Sequence, residues 1–383
     1  MKSLSLGRGK SVLTILAAVS VVALLAATLW PLNPSLPNEV RWLNGEDGLR
    51  FSENGTVFSA GEFPGQPGAD RQAFSLELWM APELTKDSTV ICAFYAPENP
   101  GQFMVRQDLA DVTVAHRSSG GQPRNPHPLI AGQALQRGKL TLATVTAGPH
   151  GTILYINGKA RRSSRVFGLS RKDLTGELVL GNSPVENSSW AGILRGLAIY
   201  KTELSAREVA DHYSLWQAQQ GVGPDRDTML ALYRFRERSG SIVKNEIQPG
   251  IDLYIPGNFR IWRQALMRPP WKEFQPNAAY VRDLVVNVLG FIPLGLVLFP
   301  YFQIVRGCRR PWLMSYLSGA LLSLTIEILQ SFVPTRYSGW TDVITNSTGT
   351  ALGAGLYLTA TGRHVLSRLF GESNPAGQRD ARV

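Results

Sequence analysis

Seven polar side chains lie within or directly beside stretches of the sequence that are otherwise apolar. They are three carboxylates, three amides and one guanidinium: Asp283, Asn287, Glu327, Gln330, Arg336, Asp342 and Asn346. An ionisable group inside a lipid bilayer is costly, and the groups found there usually serve a function. If the apolar stretches cross a membrane, these seven residues form a candidate intramembrane polar cluster.

Two interpretations of this cluster stay open. As a site, Glu327 is the candidate general acid or base, and Arg336 would hold an anionic headgroup such as a phosphate. Asp283 and Asp342 would orient that headgroup or bind a divalent cation through oxygen ligands. As a structural lock, the same groups would join three helices by hydrogen bonds of about 0.6 kcal/mol each. In either case we expect Arg336 to pair with one of the three carboxylates.

No further motif points to catalysis. The sequence has no Ser-His-Asp arrangement, no phosphate-binding loop and no His/Cys pattern for a metal. Cys92 and Cys308 are too few for a disulfide framework or a zinc site. Four histidines are scattered and predict no metal site: His116, His127, His150 and His212. We therefore identify no cofactor from these residues and assign no metal ligands.

Four apolar stretches are long enough to cross a bilayer as helices, at about residues 11–30, 284–305, 312–333 and 343–361. Glu327 is the one charged residue of the third stretch, and the fourth is rich in Gly and Ala, as closely packed membrane helices are. The first stretch is either an uncleaved signal anchor or a signal peptide. Its length and its ending at Trp30-Pro31 favour the anchor.

The net charge of +10 first suggests an anionic partner such as nucleic acid. However, residues 1–10 and 306–310 each carry three cations and no acid, and residues 362–383 carry four arginines and two acids. These segments all become cytoplasmic when four spans are threaded from a cytoplasmic N-terminus, as the positive-inside rule requires. The charge therefore predicts a multi-pass protein of the plasma (inner) membrane with both termini cytoplasmic. No nucleic-acid partner is expected.

The segment 39–260 then lies outside the cytoplasm, behind a proline-rich tether at 31–38. It shows short alternating strands, an Asn157-Gly158 hairpin turn and one short helix at 205–215, which begins with a capping box of Ser205 and Glu208. Evenly spaced short strands predict an all-β sandwich or jelly roll. The predicted organisation is a membrane protein of several domains: 1–10 cytoplasmic, 11–30 helix, 31–38 tether, 39–260 jelly roll, 261–282 linker, 283–361 membrane domain and 362–383 cytoplasmic tail.

Three parts of this segment resemble a laminin-G-like, concanavalin A-like jelly roll: 74–80, the turn at 155–159, and 192–200 followed by 204–209. The resemblance implies binding of a glycan or a protein, and in some members calcium or polysaccharide cleavage. We find no pair of carboxylates at the spacing that glycoside hydrolysis favours, so a hydrolase is not expected. A calcium ion in the jelly roll stays an open expectation.

A basic patch accompanies the hairpin turn and consists of Lys159, Arg161, Arg162, Arg165, Arg171 and Lys172. It either contacts an anionic glycan or lipid headgroup or is a solvated loop. The sequence favours the loop.

The polar cluster and its surroundings closely resemble the VanZ-like family over about residues 281–358. The matching motifs are Asp283-Leu-Val-Val-Asn287, Phe291-Ile-Pro-Leu-Gly295, Ser323-Leu-Thr-Ile-Glu327-Ile-Leu-Gln330, Arg336 and Trp340-Thr-Asp342-Val-Ile-Thr-Asn346-Ser-Thr-Gly349. The family comprises small bacterial membrane proteins of no settled activity, and its founding member is associated with low-level resistance to the glycopeptide teicoplanin.

This chain departs from the family by its inserted jelly roll, which suggests an envelope or exopolysaccharide context instead of direct resistance. We expect a protein whose jelly roll binds a glycan or protein and whose polar cluster, facing outward, binds a lipid-linked or envelope component. The alternatives are an intramembrane enzyme acting on a lipid headgroup and a jelly roll merely anchored by the helices. Membrane lipids are expected partners in every case.

Overall fold

A computed structural model describes residues 2–30, 35–63, 72–85, 87–97, 99–116, 127–185, 188–261, 266–274, 278–333, 336 and 338–359. The chain divides into two compact units. One, the jelly-roll unit, comprises residues 35–263, and the other, the membrane unit, comprises 1–34 together with 264–383. The jelly-roll unit is thus an insertion in the chain of the membrane unit.

Short antiparallel strands make up most of the jelly-roll unit. They are β1 Val40–Trp42, β2 Leu49–Phe51, β3 Val57–Ser59, β4 Phe74–Pro82, β5 Ser88–Ala96, β6 Asn99–Asp108, β7 Asp111–His116, β8 Leu129–Ala131, β9 Thr141–Gly148, β10 Gly151–Ile156, β11 Lys159–Ser164, β12 Glu177–Leu180, β13 Gly192–Tyr200, β14 Met229–Tyr233, β15 Ile242–Val243 and β16 Leu253–Tyr254.

These strands form two sheets. The first runs β1-β2-β13-β4-β9-β10-β11 with β14 beside β13, and the second runs β15-β16-β3-β12-β5-β6-β7-β8. One apolar core lies between them, where Leu76 and Leu78 of the first sheet join Phe94 and Phe103 of the second. All four of these side chains are fully buried. The predicted all-β sandwich is therefore confirmed.

The Asn-Gly turn joins β10 to β11 as the sequence predicts. Asn157 and Gly158 have φ angles of 51° and 78°, and Ile156 pairs with Lys159. Two consecutive positive φ values are the mark of the type I′ turn, whose twist suits a two-residue hairpin. The turn fixes the register of β11, which is an edge strand of the first sheet.

One helix, α2 (Ala206–Gln217), covers the outer face of the first sheet. The predicted capping box is present, since the Glu208 amide donates to the Ser205 hydroxyl and the Ser205 amide donates to the Glu208 carboxylate. Val209 and Trp216 are buried against apolar residues of the sheet's outer face, such as Trp79. Both faces of this sheet are therefore covered at its centre.

Helices build the membrane unit: α1 Lys2–Leu29, α3 Pro270–Glu273, α4 Ala278–Pro300, α5 Pro311–Gln330 and α6 Trp340–Leu358. A π-helical turn, Tyr301–Val305, extends α4. Within α1, α4 with its extension, and α5, three stretches are long and apolar enough to cross a membrane: Gly9–Leu29, Tyr280–Val305 and Pro311–Gln330. The prediction of four spans is thus supported for three. Residues 360–383, which include the end of the fourth predicted span and the predicted tail, lie outside the described residues.

Helix α6 is 19 residues long and packs against α4 at glycine positions. A Cβ atom on Gly353 would overlap the carbonyl oxygen of Ile292, and one on Gly349 would overlap that of Val288. Conversely, a Cβ on Gly295 of α4 would overlap the Thr350 carbonyl oxygen. Small residues allow two helix backbones to approach this closely in membrane proteins. The glycines of α6 therefore allow this helix to pack directly against the α4 backbone inside the membrane unit.

We predict that Gly353→Leu destabilises the membrane unit. The added side chain has no space at the α4 backbone, and overpacking of this kind costs about 1–3 kcal/mol. Gly355→Leu is the matched control in the same helix, because a Cβ there meets nothing within 4 Å. Thermal unfolding of the full chain in detergent, followed by circular dichroism, should show a lower midpoint for Gly353→Leu only. Equal midpoints for the two variants would contradict the close packing.

Candidate functional site

The N-terminus of α6 is held by carboxylates from other helices. Its N-cap residue is Gly339, which has no side chain to accept from the first free N–H groups of the helix. Instead, the Gly339 amide donates to Glu327 Oε2 at 2.8 Å. The Thr341 amide donates to Glu273 Oε2 at 3.0 Å, and the Thr341 hydroxyl donates to the same oxygen. Two carboxyl groups from other helices thereby accept from the free N–H groups at the start of α6.

Glu273 is the member of this arrangement that sequence reasoning missed. It closes the one-turn helix α3, just before the first long stretch of the predicted membrane domain. A Cβ on Gly339 would overlap its carboxylate, so Glu273 can approach the helix only because residue 339 is a glycine. The sequence signal that could have pointed to Glu273 is an acidic residue at the end of a short turn that begins with proline.

Two side-chain pairs cross between the helices below this cap. Asn287 Nδ2 of α4 donates to Asp342 Oδ1 of α6 at 2.8 Å. Asn346 Nδ2 of α6 donates to the Ser323 hydroxyl of α5 at 2.9 Å. Asn346 Oδ1 is buried and has no hydrogen-bond partner among the described residues. The spacing of four residues in α4 and α6 therefore places the amides between helices, as expected.

The C-terminal end of α5 and the segment after it are tied to the end of α1. Gln330 Nε2 donates to the Thr28 carbonyl at 3.0 Å, and Arg336 Nη2 donates to the Trp30 carbonyl at 2.9 Å. Carbonyl groups at the end of a helix lack intrahelical partners, and a cation there is favourable. We expected a carboxylate partner for Arg336, and one contact that the structure describes is this backbone carbonyl.

Asp283 is set apart from the other predicted site residues. It lies in the second turn of α4, its side chain is 67% exposed, and it approaches the neighbouring Arg282 at 3.6 Å. The structure thus brings six of the seven predicted residues into contacts between helices and leaves Asp283 at the surface.

The described contacts show what this arrangement can do. The carboxylates of Glu327 and Asp342 accept from a backbone amide and a side-chain amide, which fixes the ends of α5, α6 and α4. In the parts of the chain that the structure describes, no group of three His, Cys, Asp or Glu residues is placed to hold a metal ion. The geometry is that of a hydrogen-bonded network with one unmet acceptor, Asn346 Oδ1. The expected calcium ion of the jelly roll stays a prediction.

A second buried carboxylate, in the jelly-roll unit, was missed by sequence reasoning. Glu77 of β4 is fully buried under α2. It accepts from the Tyr200 hydroxyl at 3.0 Å and from Trp216 Nε1 at 3.2 Å, and it lies 3.1 Å from His212 Nδ1. Burial alone would lower the pKa of His212, but the hydrogen bond and charge of Glu77, helped by Glu208, raise it. This group therefore holds α2 on the sheet.

His116 is also paired with a carboxylate and, unlike His212, is buried. His116 Nε2 lies 2.7 Å from Asp173 Oδ1, with both side chains buried. His116 and His212 are thus partners of single carboxylates, and neither belongs to a group that could hold a metal among the residues described.

Three of the six residues of the basic patch belong to a strand and not to the predicted solvated loop. Lys159, Arg161 and Arg162 belong to β11 and are exposed. Arg161 Nη2 donates to the Gly132 carbonyl and Arg162 Nε to the Ile130 carbonyl, both at 3.0 Å. Charged residues suit an edge strand because they prevent pairing with another sheet. The two arginines connect the edges of the two sheets.

Comparison with known families identifies both units. Residues 229–361 match the model of the VanZ/LLP1 family, and residues 54–210 match that of the concanavalin A-like lectin/glucanases superfamily. The protein VanZ of Enterococcus faecium is 38% identical over 76 residues, which are 20% of this chain and 44% of VanZ. The chain thus spans less than half the length of this curated relative. It carries a VanZ-like domain and a concanavalin A-like domain, and both resemblances seen in the sequence are confirmed.

Three solved structures are similar to this chain at low sequence identity. A putative carbohydrate binding protein from Bacteroides ovatus is 12% identical, covers 58% of this chain and 59% of its own, and has a TM-score of 0.39. The botulinum neurotoxin serotype G binding domain is 14% identical over 49% and 47%, with a TM-score of 0.37. The SAP-like pentraxin of Limulus polyphemus is 14% identical over 58% and 93%, also at 0.37. These likenesses are too distant to bear on function.

We predict that Glu327→Ala destabilises the full chain, whereas Glu327→Gln does so little. Alanine leaves the buried Gly339 amide without an acceptor, which costs about 1–3 kcal/mol, and glutamine keeps an oxygen in that place. Thermal unfolding in detergent compares the two variants with the parent. A glutamine variant as unstable as the alanine variant would show that the charge, and not the acceptor, holds α6.

Proposed function

We propose that this chain is a multi-pass membrane protein of the cell envelope. Its jelly-roll unit would bind a glycan or a protein outside the cytoplasm, and its outer polar cluster would dock a lipid-linked or other envelope component. The observation that carries the proposal is the order of the parts along the chain: the concanavalin A-like match at 54–210 follows α1 and precedes most of the VanZ-like match at 229–361, and the jelly-roll unit interrupts the chain of the membrane unit.

The distribution of polarity in α6 supports a fourth span. Asn346, Ser347 and Thr350 are buried, whereas Ile344 and Leu352 are about half exposed. Polar residues inside and apolar residues outside are the reverse of a soluble helix and suit a lipid-facing surface. The same pattern holds in α4 and α5, where exposed apolar residues include Val285, Val286, Leu289, Leu317 and Leu321.

The packing of α1 favours a retained anchor over a cleaved signal peptide. Ala17 is buried with Phe291 of α4 and Ile326 of α5 in one apolar cluster. The carbonyls of Thr28 and Trp30 accept from Gln330 and Arg336. Removal of α1 would leave these donors and this apolar surface uncovered.

The first and last segments of the jelly-roll unit are paired with each other. Pro37 forms a β-bridge with Asn258. The Asn38 amide donates to the Gly257 carbonyl at 3.0 Å, and the Phe259 amide donates to the Leu36 carbonyl at 2.8 Å. Because the first and last segments of the unit are paired, it can be carried between two membrane helices without further connections.

The enzymatic alternative receives less support from the geometry. Glu327, the candidate acid or base, already accepts from the Gly339 amide through Oε2. Its burial of all but 1% of its surface also limits contact with a substrate. The described contacts are better suited to hold the helices together than to transfer protons.

For the orientation, we predict that Cys308 is reached by a membrane-impermeant maleimide only after the membrane is permeabilised. Cys308 lies beside the basic residues that connect α4 to α5, which the positive-inside rule places in the cytoplasm. Arg207→Cys is the matched external probe, because the Arg207 side chain is 93% exposed on the jelly-roll unit. Labelling of Cys308 from outside intact cells would overturn the topology.

For the binding role, we predict that the full chain in phosphatidylcholine nanodiscs retains at least one polysaccharide from an array of bacterial envelope glycans. The control is empty nanodiscs of the same lipid. Retention above this control supports the proposal. If no glycan is retained and crosslinking in intact cells also captures no envelope protein on the jelly-roll unit, the binding role is wrong.

A further inference from the structure

One long segment of the jelly-roll unit carries positive charge without any compensating acid. Between Asp111 and Asp173 the sequence contains ten lysines and arginines and no aspartate or glutamate. The acids at its two ends are both engaged, since Asp111 accepts from the Gln133 amide and Asp173 contacts His116. The unit as a whole is near charge balance, so this segment makes it strongly dipolar.

The fold gathers this segment along one edge of the sandwich. It supplies most of β7 and all of β8, which end the second sheet, and β9, β10 and β11, which end the first. The two outermost strands, β8 and β11, are joined by the hydrogen bonds of Arg161 and Arg162 described above. Both sheets therefore present their basic ends on the same side of the unit.

The cations of this edge form a line. From Lys159 to Arg165 the chain advances six residues along and just beyond β11, which is about 20 Å of extended strand. Lys159, Arg161, Arg162 and Arg165 are all exposed, and none of them forms an ion pair with a carboxylate among the described residues. Lys139 joins them from the neighbouring turn, because β9 meets the hairpin where the Leu142 amide donates to Asn157 Oδ1 at 2.9 Å.

We propose that this basic edge, defined by Lys139, Lys159, Arg161, Arg162 and Arg165, is the binding surface for a linear anionic polysaccharide. The proposal rests on the glycan-binding role given above and names the class of glycan. A row of fixed cations about 20 Å long matches a polymer that bears repeated carboxylate, sulfate or phosphate groups. Arginine forks are suited to such groups because they can bind them through two parallel hydrogen bonds.

Protection of an edge strand explains only part of this charge. A single inward or edge lysine is enough to discourage pairing with another sheet, whereas here four cations follow within seven residues. The guanidinium groups of Arg161 and Arg162 are held at fixed positions by the β8 carbonyls, so less side-chain freedom is lost when they bind a ligand.

A polymer is favoured over a membrane surface by the topology of the unit. The chain enters and leaves the unit at Pro37 and Asn258, beside β3 and β16. In the order of the second sheet, β16 and β8 are separated by five strands, or about 29 Å at the usual strand spacing. The basic edge therefore lies at the opposite end of the second sheet from the points where the chain enters and leaves the unit. Its exposed apolar residues, Val166 and Ile130, are too few for insertion into a bilayer.

The test compares the full chain and two triple variants in phosphatidylcholine nanodiscs. The edge variant is Lys139→Gln, Lys159→Gln and Arg165→Gln, which removes no described side-chain hydrogen bond. The matched control is Arg41→Gln, Arg226→Gln and Lys244→Gln, which removes three exposed cations elsewhere on the unit. The probes are polygalacturonate, dextran sulfate, neutral dextran and phosphatidylglycerol vesicles, with binding measured by biolayer interferometry.

We expect the parent chain to bind at least one of the two polyanions and not neutral dextran. The edge variant should bind it about tenfold more weakly, while the control stays close to the parent. Binding should also weaken steeply between 0.05 M and 0.5 M salt, as Debye screening shortens from about 14 Å to about 4 Å. If the triple edge variant unfolds, the single variants Lys159→Gln and Arg165→Gln provide the comparison.

Equal weakening in the edge and control variants overturns the proposal, as does binding to phosphatidylglycerol vesicles alone. Retention of a neutral envelope glycan, with no effect of the edge variant, overturns the basic edge but leaves the glycan-binding role intact. Failure to bind any probe or any glycan of the envelope array removes the basic edge and the glycan-binding role together.

Discussion

The hydrogen bond from the Gly339 amide to Glu327 is the contact on which the start of α6 depends. A helix that begins within or near a bilayer has N–H groups that water does not reach, and each must find an acceptor in the protein. Gly339 cannot supply one from its own side chain, so the acceptors come from Glu327 of α5 and Glu273 of α3. This single requirement brings three helices together and gives the buried Glu327 carboxyl group a hydrogen-bond partner. The Asn287–Asp342 and Asn346–Ser323 pairs then continue the network between the same helices.

Sequence reasoning found the members of this network more readily than their partners. The spacing of four residues between Asp342 and Asn346 correctly placed both on one face of a helix. Glu273, however, lies outside the long apolar stretches, where an acidic residue attracts no attention. The partners of Gln330 and Arg336 are the carbonyls of Thr28 and Trp30, and a backbone carbonyl has no signature in a sequence. Interhelical contacts made to the main chain could therefore not be predicted from side-chain types.

In the jelly-roll unit, the sequence correctly predicted the features that depend on a few neighbouring residues. The Asn157-Gly158 turn and the Ser205 capping box have physical causes confined to a few neighbouring residues, and both were predicted. Glu77 was not, because alternation along β4 shows only that it faces away from the core between the sheets. The outer face is itself covered by α2, and this packing depends on tertiary structure that the strand pattern does not show. The basic residues of β11 were read as a loop because cations disfavour the interior of a sheet, and an edge strand is the exception.

The pairing of residues 36–38 with 257–259 also constrains the order in which the protein can be assembled. The strand partners of the jelly roll are interleaved, with β1 and β2 beside β13, and β3 between β12 and β16. The sandwich can therefore close only when the chain has been synthesised to about residue 259, long after α1 has emerged. The carbonyls of Thr28 and Trp30 must meanwhile wait for donors that lie some three hundred residues further along the chain. During translation, α1 is a lone helix that exposes the acceptors of its last turn, and completion of the membrane unit is the final step that removes this exposure.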